Sequence, residues 1–275
     1  MWTVTETGTV HLDPRPASSG PALQLPSGGP EPLPFDTALA AVRGYARGKR
    51  PLRYRSPNER EGRWVLVAAF SHARFDLRPV PEGPLGEEDL LVAEGMHGRL
   101  DPAGWTTVRR ALEEAQPLAD ALVDRAAGRA FEELPDEELS VLGEPGTVGA
   151  ALRAVGELPG VLPRYISAAL HHRHPALVPL TDRATRLQLL PHVREGDSGP
   201  AAVVHRELRA NAAGFAALQD ALVAEDLAFT RVRLHDVLLW LSGSLRLDTA
   251  VAMGRSSDHW PRGLSPAAAT TGGAR

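Results

Sequence analysis

The residue types able to do chemistry fall in four short stretches. In "HHRHPALVPLTD", residues 171–182, three imidazoles in four positions precede a Pro-containing loop that ends on Asp182. His171 and His174 share a helix face, so a metal pair is geometrically conceivable, but no acidic residue sits one turn away to complete it. The expected role of the cluster is a solvated, weakly basic helix end stopped by Pro175, with a phosphate contact as the intermediate option. In "GDSGP", 196–200, Ser198 would need a histidine and an orienting carboxylate beside it, and Gly, Asp and Ser are what a plain turn is made of. "LHDVLLW" sets His235 next to Asp236, but adjacent helix residues do not face each other, so no dyad is expected and Trp240 is assigned to core or interface. "EELPDEELSVLGEP", 132–145, is acidic without alternating oxygen ligands and suits a solvated face. Asp182 itself has two readings, a helix N-cap after Pro179 and a positioned acid, with the cap ahead.

These residues must be held by helices. "GELPGVLPRYISAAL" (156–170) turns at Pro159-Gly160 and opens a helix near Pro163, which suits a first helical turn. Amides at such a helix start form a natural phosphate seat. Apolar periodicity predicts helices over 35–48, 87–95, 103–115, 117–128, 135–142, 147–157, 163–173, 182–191, 200–223 and 230–243. "RWVLVAAF" (63–70) is a strand or a buried turn of helix. The fold expected is all-α, with a small β element near 63–80. Residues 1–33 read as a disordered lead, 34–253 as the ordered body and 254–275 as a disordered tail.

Composition closes off several classes of function. Without cysteine the chain has no disulfide, thiolate catalysis, Cys-ligated zinc or iron–sulfur cluster. Among 30 Lys and Arg residues Lys49 is the one lysine, so lysine chemistry rests on it or is absent. A net charge of −4 speaks against strong non-specific nucleic-acid binding but leaves room for a local basic face. No apolar run nears the roughly 18 residues of a membrane span, so no membrane partner and a cytoplasmic location are expected. No cofactor is expected.

"LPGVLPRYISAAL" resembles the helix-hairpin-helix of base-excision DNA glycosylases, where Leu-Pro-Gly-Val-Gly leads into a helix. In that superfamily the catalytic aspartate follows a Pro-containing loop, which the resemblance places at Asp182; a catalytic lysine, where present, falls at Arg164. Their separation, 182 − 164 = 18, agrees with the family layout. The resemblance implies DNA backbone contacts at Gly160, Leu162, Arg164 and Arg173, and DNA as a weakly held partner. Leu162 stands where the second hairpin glycine would be, and Ile166 fills a slot held by a small residue. Arg164 cannot form a Schiff base, so the implied enzyme is a monofunctional N-glycosidic-bond hydrolase without lyase activity. Residues 85–253 also resemble an uncharacterised bacterial domain family with a "KRPxLxPxxD"-like segment. Two other functions stay open: a catalytically silent interaction scaffold, and a small-molecule enzyme reusing the base pocket.

Overall fold

The computed structural model describes residues 20–57, 62–141 and 146–256. Among them the chain is mainly helical with one small antiparallel sheet, the architecture expected from the apolar periodicity. Helix α1 (Phe35–Arg47) leads into strands β1 (Lys49–Tyr54) and β2 (Arg63–Ala68). Then follow α2 (Glu87–His97), α3 (Pro102–Ala126), α4 (Val148–Gly156), α5 (Leu162–Arg173), α6 (Arg183–Leu189), α7 (Pro200–Ala210), α8 (Ala212–Val223), α9 (Arg231–Gly243) and α10 (Leu247–Ser256). Helix α9 is buried almost all round and forms the central post, in contact with α1, α6, α7, α8 and α10.

Several boundaries differ from expectation for physical reasons. Helix α3 runs straight through Pro117, because the Glu113 carbonyl that loses its partner there belongs to an exposed face that water can satisfy. Where a helix is expected over 135–142, the described residues 135–141 hold only a short 3-10 turn over Asp136–Leu139. The stretch 200–223 breaks at Asn211 into α7 and α8. The Asn211 side chain accepts from the Gln24 amide at 2.6 Å and donates to the Gln24 carbonyl at 2.7 Å. Nearby, Glu207 accepts from Ser27 through its amide (2.8 Å) and hydroxyl (2.7 Å), and meets His235 at 2.7 Å. These bonds, with buried Leu23 and Leu25, fasten 20–33 to the core, so this part of the expected lead is structured. Residues 1–19 and 257–275 lie outside the described residues.

Helices α1 and α10 are the most closely packed pair. A β-carbon on Gly44 would stand 1.8 Å from the Ala250 carbonyl oxygen, and one on Gly254 would stand 1.8 Å from that of Ala40. The backbones touch because neither glycine carries a side chain. Gly44→Ala should therefore lower stability by about 1–3 kcal/mol or more, the usual cost of overpacking, read from the urea midpoint. An unchanged midpoint would show that the two helices part readily.

Candidate functional site

Asp182 is placed by the loop 174–182, and that loop is tied down on two sides. From α5, the His171 Nδ1 lies 2.6 Å from the Val178 carbonyl, and the Ser167 hydroxyl accepts from the Thr181 amide at 3.2 Å. From α9, Asp236 Oδ2 accepts from the Leu180 amide at 2.9 Å and the Thr230 hydroxyl donates to the Pro175 carbonyl at 2.6 Å. Burial pushes the His171 ring down to about 3, so it is neutral, and only its Nδ1–H tautomer can donate to a carbonyl. His172 is likewise buried, against the Arg78 carbonyl at 3.1 Å. The solvated helix end expected here is thus an internal brace. Hydrophobic neighbours of α5 cover these two rings, which sequence spacing does not reveal.

At the end of this loop Asp182 caps α6. Its Oδ1 accepts from the Thr185 amide at 2.8 Å and the Thr185 hydroxyl at 3.0 Å. Both bonds use Oδ1, and Oδ2 has no hydrogen bond to the described residues. Asp182 lines two depressions at once. One is a groove of about 500 Å³ along the α4–α5 turn and the start of α6, bordered by Arg153, Arg164, Arg183 and Arg186 against Glu157 and Asp182. The other is a cleft of about 200 Å³ walled by Phe70, Trp240, His97, Arg74, Arg233 and Asp236.

The cleft is unusual electrostatically. Burial drives the Asp236 carboxyl up to about 7, and the nearby Asp182 charge adds to the rise against the pull of Arg233 and His235. Arg233 is committed elsewhere: its Nε meets Asp76 Oδ1 at 2.6 Å and its Nη2 meets the Tyr45 hydroxyl at 2.7 Å. That pairing holds the Asp76 carboxyl well below the usual range in spite of burial, which alone would raise it. His97 is pushed down to about 4 by burial and by Arg164, and its buried Nε2 has no hydrogen-bond partner among the described residues. Two carboxyls share one small cavity, and that of Asp236 is raised far enough to give up a proton near neutrality.

The hairpin residues fare unequally. Gly160 adopts φ +64°, the left-handed conformation that lets the chain turn between α4 and α5, which pack against each other. Arg164 lies on the groove with its guanidinium over the Tyr165 ring at 5.1 Å. Leu162 corrects the expectation of a backbone phosphate contact: its amide bonds the Pro159 carbonyl at 3.3 Å and its side chain packs on the core. Arg173 is also corrected. Its guanidinium clasps Asp89 at 2.6 and 2.7 Å and the Gly83 and Pro84 carbonyls, strapping α5 to the start of α2. Four of the five guanidinium N–H donors are engaged within the fold in this way.

Sequence reasoning missed Asp236 and assigned Trp240 to core or interface. Only the alternation around α9 hinted at the outcome: His235 turns to Glu207 while Asp236 turns to the cleft. Ser198 is buried, and its hydroxyl has no hydrogen-bond partner among the described residues. The small β element near 63–80 is β2, and its partner β1 was not foreseen. No helix among the described residues is long and apolar enough to cross a membrane.

Neither the curated proteins nor the solved structures contain a match to this chain. The likeness to helix-hairpin-helix glycosylases therefore rests on residues 156–190 alone. A family model does match residues 54–243, more than half of the sequence, and it leaves out α1 and α10. The chain belongs to this family, a family of unknown function (DUF6308).

Proposed function

We propose that the chain hydrolyses the N-glycosidic bond of a nucleotide in DNA, with the sugar–phosphate strand along the arginine-lined groove and the base in the adjoining cleft. The observation that carries this reading is the position of Asp182 on the wall common to both. A sugar at that wall would have its C1′ beside the carboxylate while its base entered the cleft, against the wall that Phe70 and Trp240 form edge to face at 6.1 Å. As the C1′–N bond breaks, its electron pair leaves with the base and positive charge grows on the sugar. Asp182 stabilises that charge in a site with little water. Asp236 gives its proton to the departing base nitrogen. Water then bonds to C1′, and its proton returns to the Asp236 carboxylate. Arg164 stays protonated, so no strand cleavage follows.

The test is base release from duplexes that each carry one uracil, hypoxanthine or alkylated purine, with free nucleosides run in parallel. Hydrolysis of nucleosides without DNA cleavage would move the reading to a small-molecule enzyme. No release from either would favour a silent scaffold.

Asp236 also allows a test that needs no substrate. Its folded pKa lies above the unfolded value of about 3.9. Its burial is thus tolerated while it is protonated and becomes costly as pH rises through about 7. Besides Arg233, His235 and Asp182, it faces His171, whose Nδ1 lies 3.8 Å away. Asp236→Asn keeps an acceptor for the Leu180 amide and has no charge to bury. The melting temperature of the variant relative to wild type should rise between pH 5 and about pH 7 and level off above it. A difference that does not change with pH would show that Asp236 is already ionised at neutrality.

A further inference from the structure

Beyond the groove and cleft, β1 and β2 stand out from the body as a two-stranded ribbon. Every residue of β1 is exposed, and Trp64 on β2 is 70% exposed with Leu66 beside it at 46%. An exposed indole next to exposed aliphatic surface marks a binding face more often than an accident of folding. The register sets Arg53 opposite Trp64, Pro51 opposite Leu66 and Lys49 opposite Ala68, and strand alternation puts these six on one face.

The ribbon is basic on balance. Between 48 and 69 the sequence has Lys49, Arg50, Arg53, Arg55, Arg60 and Arg63 against Glu59 and Glu61, 6 − 2 = +4. The whole chain carries −4, so this is a local concentration of positive charge, and it includes the single lysine. The partner such a face selects is polyanionic and offers flat apolar surfaces to an indole.

The place of the ribbon narrows the choice. Its base is pinned where the Ala69 amide donates to the Gly48 carbonyl at 2.8 Å. Ala69 and Phe70, the next residues, line the cleft with Asp182 and Asp236. Six residues per strand give a reach of about 20 Å from the cleft rim. A polyanion following the arginines of the groove to Asp182 would meet the ribbon as its next cationic surface. A two-stranded ribbon has the width to enter a DNA major groove.

Resting on the reading that the groove holds DNA, we propose that the β1–β2 ribbon is a DNA-binding arm, with Lys49 and Arg53 on phosphates and Trp64 packed against bases or sugars beyond the nucleotide in the cleft. The experiment titrates the full chain against a fluorescein-labelled duplex of about 30 base pairs over a range of salt, alongside Lys49→Gln/Arg53→Gln and Trp64→Ala. The double variant should bind about tenfold or more weakly at about 0.1 M salt, with a salt slope smaller by about two. Trp64→Ala should weaken binding and lose a quenching of tryptophan emission that the wild type shows on DNA. Melting temperatures should not move, since these side chains are exposed. If the wild type binds through the ribbon but releases no base, only the catalytic reading falls. Wild-type affinity undiminished in the ribbon variants, or no duplex binding at low salt, overturns the arm. So does binding to vesicles containing phosphatidylserine in preference to DNA, which would assign the ribbon to a lipid surface.

Discussion

Asp182→Asn is expected to lower base release by about a hundredfold or more while the protein melts almost as before. The first half follows from charge. A carboxylate beside a sugar that is turning into an oxocarbenium-like cation acts in a cleft with little water to screen it, and loss of one such preorganised group typically costs about 10²–10³ in rate. The second half follows from geometry. The bonds to Thr185 use Oδ1 only, and an asparagine carbonyl accepts from the same amide and hydroxyl. Asn and Asp are close to equal as caps, so stability should stay within about 0.5 kcal/mol of wild type. Rate measured under single turnover, with melting in the same buffer, separates the two halves. Full activity in the variant would reduce Asp182 to a cap and remove the hydrolase reading.

A second large effect concerns stability. Arg233→Ala should destabilise the fold by about 3–5 kcal/mol, because it leaves the Asp76 carboxylate buried without its partner. Asp76 draws together Arg233, the Tyr45 hydroxyl at 2.8 Å and His72 at 3.3 Å, from three separate segments of the chain. Its folded pKa lies below the unfolded one. Its contribution is therefore present at neutral pH and is lost as pH falls below about 4 toward the folded value. Wild type should thus lose stability in acid more steeply than Asp76→Asn does. Arg233→Met/Asp76→Asn should recover part of the loss, since neither charge then remains buried. Urea unfolding of wild type, Arg233→Met, Asp76→Asn and their double variant forms a double-mutant cycle. Costs of the two single variants that simply add in the double variant would mean the ion pair contributes nothing.

Legibility in the sequence followed distance along the chain. The turn at Pro159-Gly160, the helix after it and the cap at Asp182 could be read because each depends on neighbours within one helical turn. Gly160 needs a positive φ, Pro163 needs no amide partner, and Asp182 reaches Thr185 three residues on. The helices α2, α4, α5 and α9 were legible for the same reason, through apolar spacing. The surroundings of Arg173 and His172 were not legible because they are supplied by Asp89, Gly83 and Arg78, some 84–94 residues away, and His171 is buried by the distant Phe75 ring stacked on it. Residues 20–28 lack any periodicity of their own, and their order comes from Asn211 and Glu207, some 180–187 residues distant.

The candidate site divides along the same line. By itself the sequence determined that Asp182 ends a Pro-containing loop, caps a helix and lies downstream of a turn with Arg164 at its exit. Nothing in spacing says that Asp236 faces the same cavity, that Trp240 and Phe70 wall it, or that a basic ribbon rises at its rim. A carboxyl is raised toward neutrality only when distant segments close over it and exclude water. The Asp236 proton, and with it any division of labour with Asp182, was decided by the packing of α9 against the 174–182 loop.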